Sequence, residues 1–249
     1  MPEGDAVYLT ARRLNRALAG KTLTGCDIRV PRYATVDLSG ERVHETATRG
    51  KHLLTRIGDY TIHTHLKMEG RWRVYKTGER WRKPGHHARI VLTADETQAV
   101  GFQLGKVEVL PRDQEDTVVG HLGPDLLGAD WDPEEAVRRL ARQPDRPIAL
   151  ALLDQTNLAG IGNIYRSEIC FLAKVDPRLP VKSVKDLPAL VDQAHKVLTA
   201  AAHHPPWRAY VYQRQRLPCR RCGTNLTLTL IGEGDTRERG IYFCTGCQL

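Results

Sequence analysis

The sequence predicts an α+β fold in two parts, and three observations predict it. Residues 5–19 carry one apolar stripe at helical spacing. From about residue 21 to 112 the chain breaks into short β-branched or alternating runs with no long helix between them. The second half is helical until two Cys-x-x-Cys pairs close it. With 249 residues, the chain can bury a real core and divide into two domains. The expected division is an N-terminal helix and β-sandwich over 1–115, a linker over 116–132 and a helical domain over 133–249. The last part of that domain, 213–249, reads as a four-cysteine zinc-finger β-hairpin.

In the first helix, Val7, Ala11, Leu14 and Leu18 recur at spacings of four, three and four. Asp5 is expected as its N-cap and Gly20 as its stop. The residues in front of it are Met1-Pro2-Glu3-Gly4. Once Met1 is removed, Pro2 carries a secondary amine. An α-amino group titrates near about 8, against about 10.4 for lysine, so much more of it is free base at neutral pH. Such an amine can attack a carbonyl-equivalent carbon and form a Schiff base. Glu3 beside it can move protons. An initial proline is usually a plain helix-start residue.

The β region comprises Thr22–Val30, Arg42–Ile57, Tyr60–Tyr75, Ala88–Ala94, Gln98–Gln103 and Lys106–Leu110, with turns such as Gly58-Asp59. Close spacing predicts a β-sandwich or flattened barrel, not a parallel sheet. Lys51, in Arg49-Gly50-Lys51-His52, fits a solvated strand end or a cation facing the same cleft as Pro2. His63 and His65 alternate on one strand face with no third ligand at convincing spacing, which favours strand packing or phosphate contacts over a metal pair. Leu66–Gly70 reads as a hairpin tip. Met68 there either folds back into the core or, exposed on a basic protein, wedges into a base stack.

Residues 113–132 are polar and rich in Gly and Pro, as a linker would be. Helices are expected over Pro133–Gln143, Pro147–Leu153 and about Pro188–His203. Between them, Asn157–Glu168 holds Gly160 and Gly162, and Asn163 opens a helix. Backbone N–H groups at such a turn and helix start make an anion site, and a phosphate is the sharp expectation. An ordinary Gly-rich helix connection is the plain one. At the end, Cys219-x-x-Cys222 and Cys244-x-x-Cys247 have 21 residues between them. In a reducing setting they predict one closed, tetrahedral zinc site, structural and not catalytic, around a hairpin of Leu226–Ile231 and Gly240–Phe243 with its turn at Gly232–Arg239. Cys26 and Cys170 lie among apolar residues and read as buried thiols.

Charge agrees with a polyanionic partner. The chain has 37 Lys+Arg against 29 Asp+Glu, a formal +8, and residues 205–249 hold seven arginines and three acidic residues. No run of about 18 apolar residues suggests a membrane helix. No basic-then-apolar start suggests a signal peptide. A cytoplasmic, reducing setting is expected, where six cysteines serve as thiols or metal ligands.

Pro2-Glu3-Gly4 at the start, Arg49-Gly50-Lys51 on a strand, Gly160-Ile161-Gly162-Asn163-Ile164-Tyr165 and the four-cysteine set with its closing Cys247-Gln248 occur in one order. In these motifs, which span nearly the whole chain, the sequence resembles the Fpg/Nei family of DNA glycosylases, formamidopyrimidine-DNA glycosylase and endonuclease VIII. The resemblance implies a helix–two-turns–helix in the second domain and a base-excision enzyme that is also an AP lyase. Pro2 matches the nucleophile that attacks C1′, and Glu3 the acid that helps open the sugar ring. Lys51 matches the phosphate contact and proton donor. Asn163 and Arg239 match the residues holding the phosphates that flank the lesion, and Met68 the tip that fills the hole left by the flipped base. It further implies damaged double-stranded DNA as partner, a monomer, nucleoid association and no catalytic metal.

The Pro-Glu-Gly start and Phe102-Gln103-Leu104-Gly105, in place of an Arg-Arg-Phe-Gly element, resemble the Nei branch, so oxidised pyrimidines are the expected substrates. Oxidised purines are the alternative. The family's second N-terminal glutamate falls at Ala6, with Asp5 adjacent. That departure keeps open a second reading, a damage-binding protein of weak or absent activity on the same scaffold.

Overall fold

The computed structural model describes residues 2–232 and 238–248. It divides into two compact units: residue 2 with residues 6–121, and residues 3–5 with residues 122–248. No described helix is long and apolar enough to cross a membrane.

The first unit is a β-sandwich with one long helix. α1 runs Gly4–Leu18, and its stripe of Val7, Ala11, Leu14 and Leu18 is buried as the spacing predicts. Gly20 follows with φ +81, a left-handed conformation that glycine adopts without steric cost. The strands are β1 Gly25–Ile28, β2 Val43–Arg49, β3 His52–Ile57, β4 Tyr60–His65, β5 Arg71–Lys76, β6 Ala88–Ala94, β7 Thr97–Phe102 and β8 Lys106–Pro111. They form two four-stranded antiparallel sheets, ordered β1-β6-β7-β5 and β2-β3-β4-β8. Leu53, Ile57 and Ile62 of one sheet and Trp72, Ile90 and Leu92 of the other share a core with the stripe of α1. Truncating a buried leucine such as Leu14 to alanine typically costs about 2–5 kcal/mol. A short helix, α2 Asp116–Val119, ends this unit.

One expectation fails here. Leu66–Gly70 is not a hairpin tip, because β4 pairs with β3 and β8 while β5 pairs with β7. The segment instead carries the chain from one sheet to the other. Alternation shows which face a residue takes but not which strand it pairs with. The adjacent Arg42–Ile57 run folds as a true hairpin, turned in two residues at Gly50-Lys51 with Gly50 at φ +56.

The second unit holds the helices α3 Pro133–Ala141, α4 Ile148–Leu153, α5 Asn163–Leu172 and α6 Leu187–His203. Asp132 caps α3 by accepting from Glu135 N at 2.9 Å, and Asp186 caps α6 by accepting from Ala189 N at 2.9 Å. Ile148, Leu152, Ile169, Val191 and Leu198 are buried in the core of this unit. β9 Thr227–Ile231 and β10 Arg239–Phe243 pair antiparallel as the expected hairpin. Of its expected turn, residues 233–237 lie outside the described residues. A smaller cluster of Phe171, Val211, Cys219, Leu226 and Cys244 ties the hairpin to α5.

Candidate functional site

α5 organises the second unit, and its sequence does so through three charged or polar side chains along one helix. At its start lies Glu3, 1% exposed. The Glu3 carboxylate accepts from Gly162 N at 2.7 Å, Ile164 N at 2.8 Å and Tyr165 N at 3.3 Å. The first amides of a helix have no partner within it and carry the positive end of its dipole, so they suit a carboxylate. This corrects one expectation. The amides read as a phosphate site are held by the chain's own glutamate.

The close approach depends on Gly162. A Cβ there would lie 2.4 Å from Glu3 Cδ and 2.6 Å from Oε1. Gly160, at φ +114, makes the preceding turn, and its carbonyl accepts from Gly4 N at 3.0 Å. Gln155 braces the loop, its carboxamide donating to Ile161 O at 2.9 Å and accepting from Gly160 N at 3.1 Å. Asp5 is not the N-cap, because the helix already begins at Gly4. Its carboxylate instead accepts from the Tyr165 hydroxyl at 2.7 Å. Burial, with Asp5 beside it, pushes the Tyr165 phenol well above its ordinary range.

Asn163 is the first residue of α5, half-buried. Its Oδ1 is buried without a hydrogen-bond partner among the described residues. One turn on, the fully buried Arg166 donates to the carbonyls of Gly240 at 3.0 Å and Arg239 at 3.4 Å. Burial pulls its guanidinium down to about 10. The exposed Arg239, at the start of β10, is thus held through its own backbone from the helix that Asn163 opens. Glu168, also fully buried, accepts from Tyr210 N at 2.7 Å, Val211 N and Tyr212 N at 2.9 Å, and the Trp207 indole at 3.3 Å.

Arg166 and Glu168 have no role in the sequence reading, and Tyr165 enters it only as part of the motif. The signal for Arg166 and Glu168 was two charges set among Ile164, Tyr165, Ile169 and Phe171 on a short apolar helix, where charge is found only when paired.

The four cysteine Sγ atoms lie within 4.8 Å of one another, with Cys219–Cys247 at 3.9 Å and Cys222–Cys244 at 3.4 Å. Thiolates bound at about 2.3 Å around a tetrahedral zinc sit roughly 3.8 Å apart. The cluster therefore fits one such ion, and no other group among the described residues does. Gln248 locks it to the fold, accepting from Cys244 N and donating to Val175 O, both at 2.8 Å.

In the first unit, Pro2 is half-buried and Lys51 stands in the Gly50-Lys51 turn, also half-buried. Met68 is 68% exposed, the exposed one of its two sequence readings. Its turn adjoins the 102–105 loop: Gln103, at φ +49, donates to Glu69 at 3.2 Å. A Cβ on Gly105 would collide with Lys67.

Below the Lys51 turn lies a histidine cluster. His63, fully buried, donates from Nδ1 to Glu108 at 2.9 Å. That leaves His63 Nε2 to accept from His52 Nδ1 at 2.8 Å. The two rings stack, and His65 meets His52 edge-on. The packing reading of His63 thus describes its surroundings. Burial, with neighbouring histidines or lysines, pulls His52 down to about 3 and His65 to about 4. Burial also lowers His63, against the opposing pull of Glu108.

These shifts have a sign. Unfolded, the imidazoles titrate near 6.5. Above that pH both states are neutral there and the stability is intact. Below it the unfolded chain binds protons that the fold refuses, so stability falls until the folded imidazoles titrate. Thermal melts should show Tm dropping from pH 7 towards 4, with a shallower drop in His52→Gln. Equal slopes in the two proteins would remove the cluster from the account.

Comparison with known proteins was consistent along the whole chain. The formamidopyrimidine-DNA glycosylase N-terminal domain matches residues 1–106, and the formamidopyrimidine-DNA glycosylase H2TH domain matches residues 122–205. A protein of Streptomyces coelicolor described as probable endonuclease 8 2 is 50% identical, over 100% of this chain and 94% of its own. The DNA-(apurinic or apyrimidinic site) lyase Nei2 of Mycolicibacterium smegmatis is 48% identical, over 100% and 99%. Among solved structures, MutM in complex with DNA containing carbocyclic 8-oxo-G superposes with a TM-score of 0.84 at 25% identity, over 100% of both chains.

Proposed function

The chain belongs to the Fpg/Nei family, and from that premise we propose a division of labour among its residues. The protein is a DNA glycosylase and AP lyase of base excision repair. Its partner is damaged double-stranded DNA; the related MutM is bound to DNA containing carbocyclic 8-oxo-G. The lesion class we propose is oxidised pyrimidine, on the Pro2-Glu3-Gly4 start and the Phe102-Gln103-Leu104-Gly105 element, which resemble the Nei branch. The place of work is the bacterial cytoplasm, at the nucleoid, as a monomer. The division read from the sequence is part of this proposal: residues 1–115 carry the chemistry, 116–132 link, and 133–249 hold the helices and the zinc hairpin.

Removal of Met1 frees the Pro2 amine, which adds to C1′ of the damaged nucleotide. The C1′–base bond breaks and the base leaves with its electron pair, taking up a proton. Glu3 protonates the ring oxygen, the sugar opens, and an iminium joins Pro2 to C1′. That iminium acidifies C2′–H. Loss of this proton breaks the C3′–O bond to one phosphate, and a second elimination breaks the C5′–O bond to the other. Lys51 contacts phosphate and donates a proton. Asn163 and Arg239 hold the phosphates on either side, and Met68 fills the space left by the flipped base. Flipping costs a few kcal/mol, least for a damaged base. Cys219, Cys222, Cys244 and Cys247 hold one zinc, which shapes the hairpin and takes no part in the chemistry.

The observation that carries this reading is the seat of Glu3. A carboxylate next to the proposed nucleophile is buried and fixed by three amides, the preorganisation a proton-transfer group requires. The test is borohydride trapping on a duplex with one abasic site, with intact mass recorded. Protein lacking Met1 should yield an adduct that maps to Pro2. Pro2→Gly and Glu3→Gln should each lower its yield at least about tenfold. No adduct from protein that binds the duplex would favour the damage-binding reading, for which Ala6 is the observation.

A further inference from the structure

On the first unit, α1 and β5 line a cavity of about 460 Å³, none of whose lining residues is assigned a part in the reaction above. Its floor is apolar: Leu14 and Trp72 are buried, and Val74 is 43% exposed, one of the few large apolar side chains open to solvent. Arg13, Arg16 and Arg73 stand around the rim, all exposed. No acidic residue lines the cavity.

Among the described residues these three arginines pair with no carboxylate. Arg13 donates only within its own helix, to Leu9 O and Thr10 Oγ. Other arginines on this protein's surface do find acidic partners, as Arg29 does in Asp27, Arg139 in Glu135 and Arg178 in Asp176. β5 is moreover the edge of its sheet, paired on one side only with β7. Basic edge strands guard against pairing with other chains, and that alone explains an arginine on β5. It does not explain why two more converge from α1 over an apolar floor.

We propose that this cavity is a docking site for an acidic peptide segment of a partner protein, anchored by one phenylalanine-sized side chain. The volume lies in the range of sites that take a compact apolar group. Three unpaired guanidinium groups complement carboxylates flanking such an anchor. Nucleic acid fits less well. Bases bind by stacking on exposed aromatic faces, and Trp72, the one aromatic ring of the floor, is 5% exposed.

The test uses the full, zinc-loaded chain and a fluorescein-labelled peptide of eight residues, aspartates and glutamates around one central phenylalanine, read by anisotropy. Binding should saturate, and replacing the phenylalanine by alanine should weaken it about tenfold or more. Arg16→Glu and Arg73→Glu should each weaken it by a similar factor, with cleavage of an abasic duplex unchanged as the check on folding. Three results would overturn the proposal. One is no binding by wild-type protein. Another is equal binding of the peptide lacking phenylalanine. The third is loss of duplex cleavage in step with loss of peptide binding, which would make the rim part of the DNA surface.

Discussion

Gly162→Ala is expected to lower borohydride trapping and strand cleavage by about 10²–10⁴-fold, close to the loss from Glu3→Gln, although the added methyl group replaces no reactive atom. Gly162 has φ −127 and ψ −155, extended backbone that alanine also adopts, so conformational strain is not the cause. The cause is contact. The new Cβ would lie 2.4 Å from Glu3 Cδ and 2.8 Å from Cγ, and the side chain must move. It cannot move without giving up amides at 2.7 and 2.8 Å, and a group displaced by an ångström loses much of its catalytic value. Binding to a duplex with an uncleavable abasic analogue should stay within a few-fold, because the phosphate contacts are assigned elsewhere. Near wild-type trapping would mean that Glu3 need not sit on these amides to act. Loss of binding and trapping together would point to collapse of the loop.

That pairing of residue 3 with residues 162–165 marks the limit of what the sequence can tell. The four cysteines were legible because their chemistry is written in short spacing, and the structure brings them within 4.8 Å. The stripe of α1, most strands and the helix opening at Asn163 were legible because periodicity is local. What local pattern omits is the partner. The free amides before α5 invited an anion from outside, yet the anion comes from the far end of the chain. Asp5 looked like a cap and proves to be an acceptor for Tyr165. Leu66–Gly70 had the composition of a hairpin tip, and only pairing shows that it joins two sheets. Arg166 and Glu168 have no role in the sequence reading, since a buried charge is intelligible only from its surroundings.

Glu168→Ala should be the most destabilising single change in the second unit, by about 3–5 kcal/mol. One carboxylate, fully buried, satisfies three consecutive backbone amides and an indole. Its removal leaves four donors around a fully buried position, and each stranded donor costs about 1–3 kcal/mol before relaxation. Glu168→Gln should be milder yet still harmful, because its NH2 end meets donors where an acceptor is required. The damage should spread along the chain. The segment 210–212 leads into the cysteine cluster, with Val211 packed against Phe171, Cys219 and Cys244. Arg239, held from the same helix through Arg166, would then lose a fixed position. Urea unfolding should therefore show an early transition in Glu168→Ala that coincides with zinc release to a chromogenic chelator. The first unit, whose sandwich has its own core, should unfold later with the wild-type midpoint. A single transition at the wild-type midpoint would show that the 207–212 segment does not need its carboxylate, and with it would go the account of α5 as the element that fixes the hairpin.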